Sequence, residues 1–327
     1  MSDENSNDSN ARERSQPDRV QRGAMTRIDD WMAQNPWHPR VAPFAVYIVM
    51  LVPIQWLTEN APRAYPVVYS IQCLLVVWLL WRYRRLLPEL NMKFHWLAIP
   101  VGVGVLIAWI LLGWFMAGEL AYRWQALASD GLQGLQGKLG AEALGEEPGF
   151  LAEKFGMTQK HFLEKLRGES AAFYWLSNGL RLLGMSIVVP LFEELFIRSL
   201  MLRSLHKAGP TGTGLLQVLL DLPWIGDRLL TTDAGRRASE QPPAFGLQFD
   251  ATPLGALCVF GVCSSTFIFM INHGMRDYPG CIVCGVAYCL LLGATRHKGL
   301  GPVVWAHGIT NGLLWTYTLY TNDWQFL

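Results

Sequence analysis

The chain has 327 residues, a formal net charge of +1 and six cysteines, and 51% of its residues are apolar. Charged residues make up only 16%, well below the roughly 25% of soluble proteins, which excludes an ordinary soluble domain. The net charge argues neither for nor against an anionic partner, but no pattern of basic and aromatic residues indicates nucleic-acid binding, so no nucleic acid is expected as a partner.

Seven apolar runs predict transmembrane helices, because a bilayer crossing needs about 20 predominantly apolar residues. The runs cover residues 41–57, 65–81, 96–118, 171–189, 252–273, 279–294 and 300–320. The run at 279–294 is short for a full crossing. Pro190 either bends one helix over 171–206 or divides it into two. The predicted fold is therefore all-α, a polytopic integral membrane bundle of seven or eight transmembrane helices.

Polar stretches divide the chain into parts. Residues 1–40 are predicted to be a polar, disordered N-terminal tail, and residues 41–118 hold the first three transmembrane helices. Residues 119–170 form an extramembrane insert with one or two short amphipathic helices. Residues 171–327 form the rest of the membrane core, with a second insert at 207–251. The Lys and Arg residues near the first runs favour a cytoplasmic N-terminus.

Three ionisable residues interrupt the apolar segment around Pro190. Such groups cost about 2.5–3.5 kcal/mol each at membrane depth, so they mark a candidate functional site. Glu194 and Arg198 are spaced i,i+4, which predicts an ion pair on one face of a helix. Glu193 lies about 100° around the helix from Glu194 and is left free to contact another segment.

Two later apolar runs carry polar groups at the same i,i+4 spacing, Phe269 with His273 and His307 with Asn311. Hydrocarbon offers no hydrogen bonds, so each polar group needs a partner from another helix. The simplest solution is one cluster of Glu193, His273, His307 and Asn311 beside the ion pair. Taken singly, each motif also has a structural explanation, as an ion pair or as hydrogen bonds between helices.

The motifs Glu-Glu-x-x-x-Arg, Phe-x-x-x-His and His-x-x-x-Asn follow in that order between about residues 171 and 320. In this the chain resembles the CPBP family of intramembrane proteases, which includes type II CAAX prenyl endopeptidases and exosortase-associated bacterial proteins. The resemblance implies a protein of the bacterial inner membrane, in contact with membrane lipid. It implies hydrolysis of a peptide bond in a membrane-associated, lipidated or C-terminally anchored protein or peptide.

Carried onto this sequence, the resemblance implies that Glu193 is the general base that activates water, assisted by His273. His307 and Asn311 would stabilise the oxyanion of the tetrahedral intermediate. The residues that would support the site are Glu194, Arg198 and Phe269.

A metal-dependent mechanism is the alternative to a metal-free one. Glu193, His273 and His307 would supply one carboxylate and two imidazoles, a ligand set found in catalytic zinc sites with an open position for water. The HExxH motif of soluble zinc proteases is absent from the sequence. Both mechanisms use the same residues, so the expected cofactor is either none or a divalent metal such as zinc.

A non-catalytic membrane protein is the alternative from another class. An immunity factor, a scaffold or a small-solute carrier could retain the same polar cluster. A carrier would be favoured by inverted repeats and by broken helices in matching halves, and Pro190 has no counterpart of that kind. No local pattern assigns a partner to Arg181. The cysteines lie in apolar runs and are expected to pack as small hydrophobic residues, including the CxxC at Cys281 and Cys284.

Overall fold

The fold is given by a computed structural model, which describes residues 24–117, 162–168, 170–206, 213–221, 225–241, 248–271, 273–274 and 277–324. Of these residues 84% are helical and none lies in a strand, so the predicted all-α class is confirmed. Most of the first predicted insert, part of the second and most of the N-terminal tail lie outside the described residues.

We number the helices of the described residues in chain order. The first five are α1 (Ala24–Gln34), α2 (His38–Asn60), α3 (Tyr65–Arg82), α4 (Ala98–Ala117) and α5 (162–168). Helix α6 begins at Ala171 and ends at Ser204. The remaining helices are α7 (Thr213–Leu220), α8 (Ile225–Leu230), α9 (Asp233–Ser239), α10 (Val259–Ile271), α11 (Tyr278–Thr295) and α12 (Gly301–Thr321).

Four helical segments among the described residues are long and apolar enough to cross a membrane. They are His38–Leu57, Pro62–Arg82, Ala98–Phe115 and Tyr278–Lys298. The structure therefore supports a helical membrane protein, with four candidate spans rather than seven or eight. The run at 279–294 was predicted to be short for a full crossing, and this is corrected by the last of the four segments. Helix α11 and the helical turn after it together make a segment of 21 residues.

The run at 252–273 is the short one instead. Its helix α10 covers only Val259–Ile271, and the preceding residues 252–258 form turns and irregular backbone. Gly255 in this stretch has φ +76°, a left-handed conformation that favours glycine and that a continuous right-handed helix through these residues could not contain. Helix α10 is thus too short to cross a bilayer by itself.

Helix α6 is continuous, which answers the question that Pro190 raised. Its backbone contains two π-helical segments, Gly184–Val188 and Leu195–Met201, and the residues at every junction keep right-handed helical angles. Proline clashes with the carbonyl four residues earlier in a regular α-helix. The wider π-helical turn immediately before Pro190 relieves that clash, so the helix continues through the proline.

Helices α4, α11 and α12 pack against one another, and α12 also packs against the middle of α6. Small residues allow the close approach. A side chain on Gly102 would overlap the carbonyl of Ala306, and one on Gly308 would overlap the carbonyl of Ser186. Close packing over small residues is the usual way in which membrane helices associate.

The expected disorder of the tail does not extend to residues 24–34, which form helix α1. This helix is fixed at the end of α3, where Asp29 accepts hydrogen bonds from Arg82 and from the hydroxyl of Tyr83 (3.0 Å). Trp31 stacks on His38 at a centroid distance of 3.8 Å. These contacts could not be predicted from the polar composition of the tail, because the residues that bind α1 lie much later in the chain, at the end of an apolar run.

A buried node centred on Glu89 joins three parts of the fold. Arg40 donates two hydrogen bonds to its carboxylate, at 2.7 and 2.9 Å, and Ser199 donates one at 2.5 Å. The backbone N–H of Leu300, at the start of α12, donates to the Glu89 carbonyl at 2.9 Å. Burial alone would raise the pKa of Glu89, but the charge and hydrogen bonds of Arg40 and the Ser199 hydroxyl hold it below its ordinary value.

The described parts of the inserts are short helices. Helices α7, α8 and α9 pack on one another within the second insert. In the first insert α5 buries Phe162, Leu163 and Leu166 in a cluster with Trp315, so this end of the insert belongs to the folded core. The remainder of the amphipathic prediction for the first insert lies outside the described residues.

The cysteines are all free. Cys281, Cys284 and Cys289 are buried in α11, Cys73 and Cys258 are half-buried, and Cys263 is exposed. The burial of the three α11 residues agrees with the expected packing role.

Candidate functional site

The centre of α6 carries the predicted ion pair. Nε of Arg198 lies 3.3 Å from Oε2 of Glu194, and both side chains have 0% exposure. The side chain of Glu193, by contrast, is 17% exposed. The i,i+4 prediction is therefore confirmed in its geometry, with one carboxylate fixed in the core and its neighbour facing a less enclosed region.

His307 of α12 lies between the two glutamates. Its Nδ1 is 2.7 Å from Oε1 of Glu194, and its Nε2 is 3.7 Å from Oε2 of Glu193. A carboxylate only accepts hydrogen bonds, so Nδ1 carries the proton and donates it to Glu194. This fixes the orientation of the imidazole and leaves Nε2 directed at Glu193.

The charges of this group balance when His307 is protonated. Arg198 then compensates Glu194, and the imidazolium compensates Glu193. The separation of 3.7 Å exceeds a hydrogen bond, so a water molecule about 2.8 Å from each atom can bind to both. The arrangement can hold and orient a water molecule beside a carboxylate.

Aromatic rings enclose the guanidinium of Arg198. Its Cζ lies 5.1 Å from the ring centre of Phe269 and 5.6 Å from that of Tyr288. The Tyr288 hydroxyl is 2.7 Å from the hydroxyl of Thr310. Cation–π contacts of a desolvated arginine contribute about 2 kcal/mol. The rings therefore stabilise the buried charge of Arg198 in addition to its ion pair with Glu194.

Phe269 and His273 share a helix face as predicted, with ring centroids 4.5 Å apart. Phe269 also lies 6.3 Å from the ring of His307, so it is close to both imidazoles. Nδ1 of His273 is 2.9 Å from the carbonyl of Phe269, and its ring meets the edge of Trp109 at 5.8 Å. Among the described residues, the polar and ring contacts of His273 do not include Glu193.

The position of His273 removes a difficulty of topology. Simple alternation of full crossings would put this residue at the opposite membrane face from Glu193. Helix α10 is short, however, and His273 follows its end beside Trp109, which lies in the middle of α4. His273 therefore lies close to the polar cluster, through the Phe269 ring that approaches both imidazoles.

Asn311 lies one turn beyond His307 and contacts α6 by a different route. Its Nδ2 donates to the carbonyl of Met185 at 3.0 Å. In the π-helical segment that carbonyl would pair with the N–H five residues later, at Pro190, and proline has none. The carbonyl is thus free for Asn311, which uses one of its two amide hydrogens there and keeps the other.

The metal-binding alternative was tested on the same geometry. Within the ranges that the structure describes, no three His, Cys, Asp or Glu side chains lie together so that they could hold a metal ion. Glu193 and His307 are neighbours, but Nδ1 of His273 faces its own helix backbone. These residues do not form a metal site in this arrangement.

Several residues near the site were missed in the sequence analysis. Tyr288 and Thr310 carry no signal there, because single Tyr and Thr residues are common in apolar helices. Glu89 does carry one. It is an acid surrounded by Arg82, Arg84, Arg85 and Lys93 between two apolar runs. A single acidic residue in a basic segment next to the membrane indicates an ion pair. In the structure its partner is Arg40.

Comparisons with other proteins gave no match to any family model, curated protein or solved structure.

Proposed function

We propose that this protein is an intramembrane endopeptidase that hydrolyses a peptide bond with a glutamate-activated water molecule. The observation that carries the proposal is the pair of Glu193 and His307, 3.7 Å apart, with His307 fixed from behind by Glu194. Placing three charged or titratable groups together within apolar helices costs free energy, so such a group is by default a hypothesis for a functional site. The resemblance of the three motifs to the CPBP proteases supports the same activity.

In the proposed reaction a water molecule binds to Glu193, which removes one of its protons as the oxygen attacks the peptide carbonyl carbon. The carbonyl oxygen becomes an oxyanion, stabilised by Nε2–H of protonated His307 and by the second amide hydrogen of Asn311. The C–N bond then breaks, and Glu193 gives its proton to the leaving amine. The products are a new carboxylate and a new amine. His273 assists in positioning, since it lies against the Phe269 ring that also faces His307.

We place seven helical segments in the membrane, namely α2, α3, α4, α6, α10, α11 and α12. The continuity of α6 supports seven rather than eight. In this arrangement α10 and the first turn of α11 are held at depth by α4, since Gly280 of α11 packs on the ring of Trp109. The substrate is a membrane-associated, lipidated or C-terminally anchored protein or peptide.

The proposed orientation has a cytoplasmic N-terminus in the bacterial inner membrane. Arg84 and Arg85 follow α3, while Arg296 and Lys298 follow α11. The hydrogen bond from Leu300 to the Glu89 carbonyl brings these two basic ends to one side of the bundle. Cytoplasmic loops are enriched in Lys and Arg, so this is the expected inner side.

The experiment compares wild type, Glu193→Gln and His307→Gln in liposomes against a library of membrane-anchored peptides, with cleavage read by mass spectrometry. Asp233→Asn, whose side chain is 82% exposed on α9, is the matched control. Cleavage that is retained in the control and lost in the other two variants is expected. Metal content measured on the same samples tests the metal-free mechanism.

Cleavage by Glu193→Gln at the wild-type rate would overturn the assigned base. If no form cleaves and Glu193→Gln keeps its function in cells, the non-catalytic alternatives of immunity factor, scaffold or carrier take precedence.

A further inference from the structure

The end of the bundle where α4 and α12 begin carries a group of cations that the proposed reaction does not use. They come from the segment between α3 and α4 and from the turn between α11 and α12. The members of this basic surface are Arg84, Arg85, Lys93, Arg296 and Lys298. Lys298 is half-buried and the other four are exposed. Like charges on one surface repel one another unless an anion compensates them.

Two glycines of the turn between α11 and α12 hold the two parts of the basic surface together. A Cβ on Gly299 would overlap the side chain of Asn91, and one on Gly301 would overlap the backbone of Lys93. The backbone N–H of Leu300, between these glycines, donates to the carbonyl of the α3–α4 segment described above. Because Lys298 directly precedes Gly299, Lys93 and Lys298 lie on one continuous surface.

The described residues provide no acidic partner for this surface. The ion pairs among them include none of its five cations. Glu89 is the only acidic residue between Arg84 and Ala98 in the sequence. Its side chain is only 7% exposed, and its carboxylate already binds Arg40 and Ser199. The surface therefore keeps its positive charge.

Aromatic side chains place the basic surface at the boundary between hydrocarbon and lipid headgroups. Phe94, Trp96 and Trp305 are 50%, 65% and 40% exposed. The indole N–H of Trp305 donates to the carbonyl of Met92 at 3.1 Å, and its ring meets that of Phe94 edge-on at 5.9 Å. Tryptophan is enriched at membrane interfaces, where its ring is in an apolar environment and its N–H in a polar one. Lys93 lies between Met92 and Phe94 in the chain, so it belongs to this boundary.

We infer that the basic surface binds the headgroup of an anionic phospholipid. The phosphate binds between Lys93 and Lys298, and the acyl chains lie against Phe94 and Trp305. Cations beside exposed aromatic rings match a ligand with an anionic head and an apolar tail, whereas a soluble anion or an acidic peptide would use the cations alone. Basic surfaces between membrane helices bind such headgroups on the cytoplasmic side, where the proposed orientation places this end. The inference does not depend on the proposed protease activity.

The test measures lipid binding to the full-length protein in detergent, with lipid adducts counted by native mass spectrometry. Phosphatidylglycerol and phosphatidylcholine with identical acyl chains are titrated separately, so that the two lipids differ in headgroup charge and not in their tails. Phosphatidylglycerol should bind at least about tenfold more tightly, since each Lys or Arg near a headgroup contributes about fivefold. Lys93→Gln combined with Lys298→Gln should reduce this preference to less than about threefold.

Lys165→Gln combined with Arg167→Gln is the matched control. It removes two positive charges from exposed positions of α5, which packs on Trp315 in the second half of α12 and so lies towards the other end of the bundle. This control should keep the preference for phosphatidylglycerol. An equal loss in both double variants would show a diffuse attraction by net charge and would overturn the inference. Thermal unfolding without added lipid verifies that both double variants are folded.

Two further outcomes also overturn the inference. The first is a wild-type protein without the preference, or a preference that survives the loss of Lys93 and Lys298. The second is displacement of the bound lipid by excess glycerol phosphate, which has the charged group without acyl chains and would assign the surface to a soluble anion.

An acidic segment of this chain is the remaining candidate for the surface. The sequence begins with a stretch that contains Asp3, Glu4 and Asp8. The full chain with Asp3→Asn, Glu4→Gln and Asp8→Asn is therefore titrated in the same way. A preference that is missing in wild type but appears in this variant would assign the surface to the acidic segment and overturn the inference. An equal preference in both proteins supports the lipid site.

Discussion

The Nδ1 atom of His307 lies 2.7 Å from Oε1 of Glu194, so a hydrogen bond between two buried side chains joins α12 to α6. The other oxygen of the same carboxylate faces Arg198. One glutamate thus holds both a cation of its own helix and the imidazole of a neighbouring helix. Glu193 has no such structural role, which leaves it available for the proposed reaction.

Because Glu194 has a structural role and Glu193 does not, the two glutamates should respond differently to substitution. Glu194→Gln should lower the free energy of unfolding by about 3–5 kcal/mol, because it leaves the buried charge of Arg198 uncompensated. Glu193→Gln should cost less than about 1 kcal/mol, because its side chain is less enclosed and accepts no hydrogen bond from the described residues. Equilibrium unfolding in mixed detergent micelles measures both. Equal losses would contradict the assignment of Glu194 as the structural member.

Asn311 should contribute to the transition state rather than to substrate binding. Asn311→Leu removes its free amide hydrogen, and loss of one oxyanion donor typically lowers kcat by about 10²–10³. We expect KM to change little. Thr316→Val is the control, since this exposed hydroxyl on the same helix bonds only to its own backbone. A rise in KM at constant kcat would instead make Asn311 a binding residue.

The contact between α6 and α12 depends on glycine. Gly308→Ala puts a methyl group onto the carbonyl of Ser186 and should cost about 1–3 kcal/mol, with a loss of activity because His307 is the preceding residue. Gly179→Ala is the matched control, since nothing lies within 4 Å of a Cβ at that position of α6. It should be neutral or stabilising by up to about 1 kcal/mol. Similar thermal unfolding of the two variants would argue against close packing at Gly308.

The Glu89 node predicts a dependence of stability on pH. The pKa of Glu89 in the folded protein is below its ordinary value of 4.5, so its ion pair with Arg40 stabilises the fold fully above that value. The contribution is lost as the pH falls through the lowered pKa and the carboxylate becomes protonated. Thermal unfolding followed from pH 7 to pH 3 should show this loss in wild type. Glu89→Gln should be less stable at pH 7 and should show a shallower decline.

Local periodicity allowed much of the site to be predicted. The spacing of Glu194 and Arg198 and of Phe269 and His273 reports neighbours on one helix, and the structure has both pairs in contact. Polar groups in lipid need partners, and this requirement correctly predicted that His307 lies next to the glutamates. It did not indicate that His307 bonds to Glu194 and only approaches Glu193, because that choice depends on how α12 is rotated against α6.

The remaining differences come from features with no regular period. Nothing in the composition of Gly184–Val188 marks a π-helix, and Pro190 alone is compatible with a bend, a break or a continuous helix. The pairing of Arg40 with Glu89 joins residues from two separate polar segments, which no local pattern can link. The short α10 was hidden because irregular apolar residues before it extended the run.

The π-helical segment before Pro190 also makes the rotation of the first half of α6 depend on the number of residues in that segment. Removing one residue from Gly184–Val188 would restore a regular turn and rotate the first half of the helix by about 100° relative to Glu193. Such a deletion would swing the row that contains Arg181 towards a different neighbour. It would also restore the clash between Pro190 and the carbonyl four residues earlier, and it would displace the Met185 carbonyl that accepts a hydrogen bond from Asn311. The extra residue of this segment thus sets both the rotation of the first half of α6 and the position of Asn311.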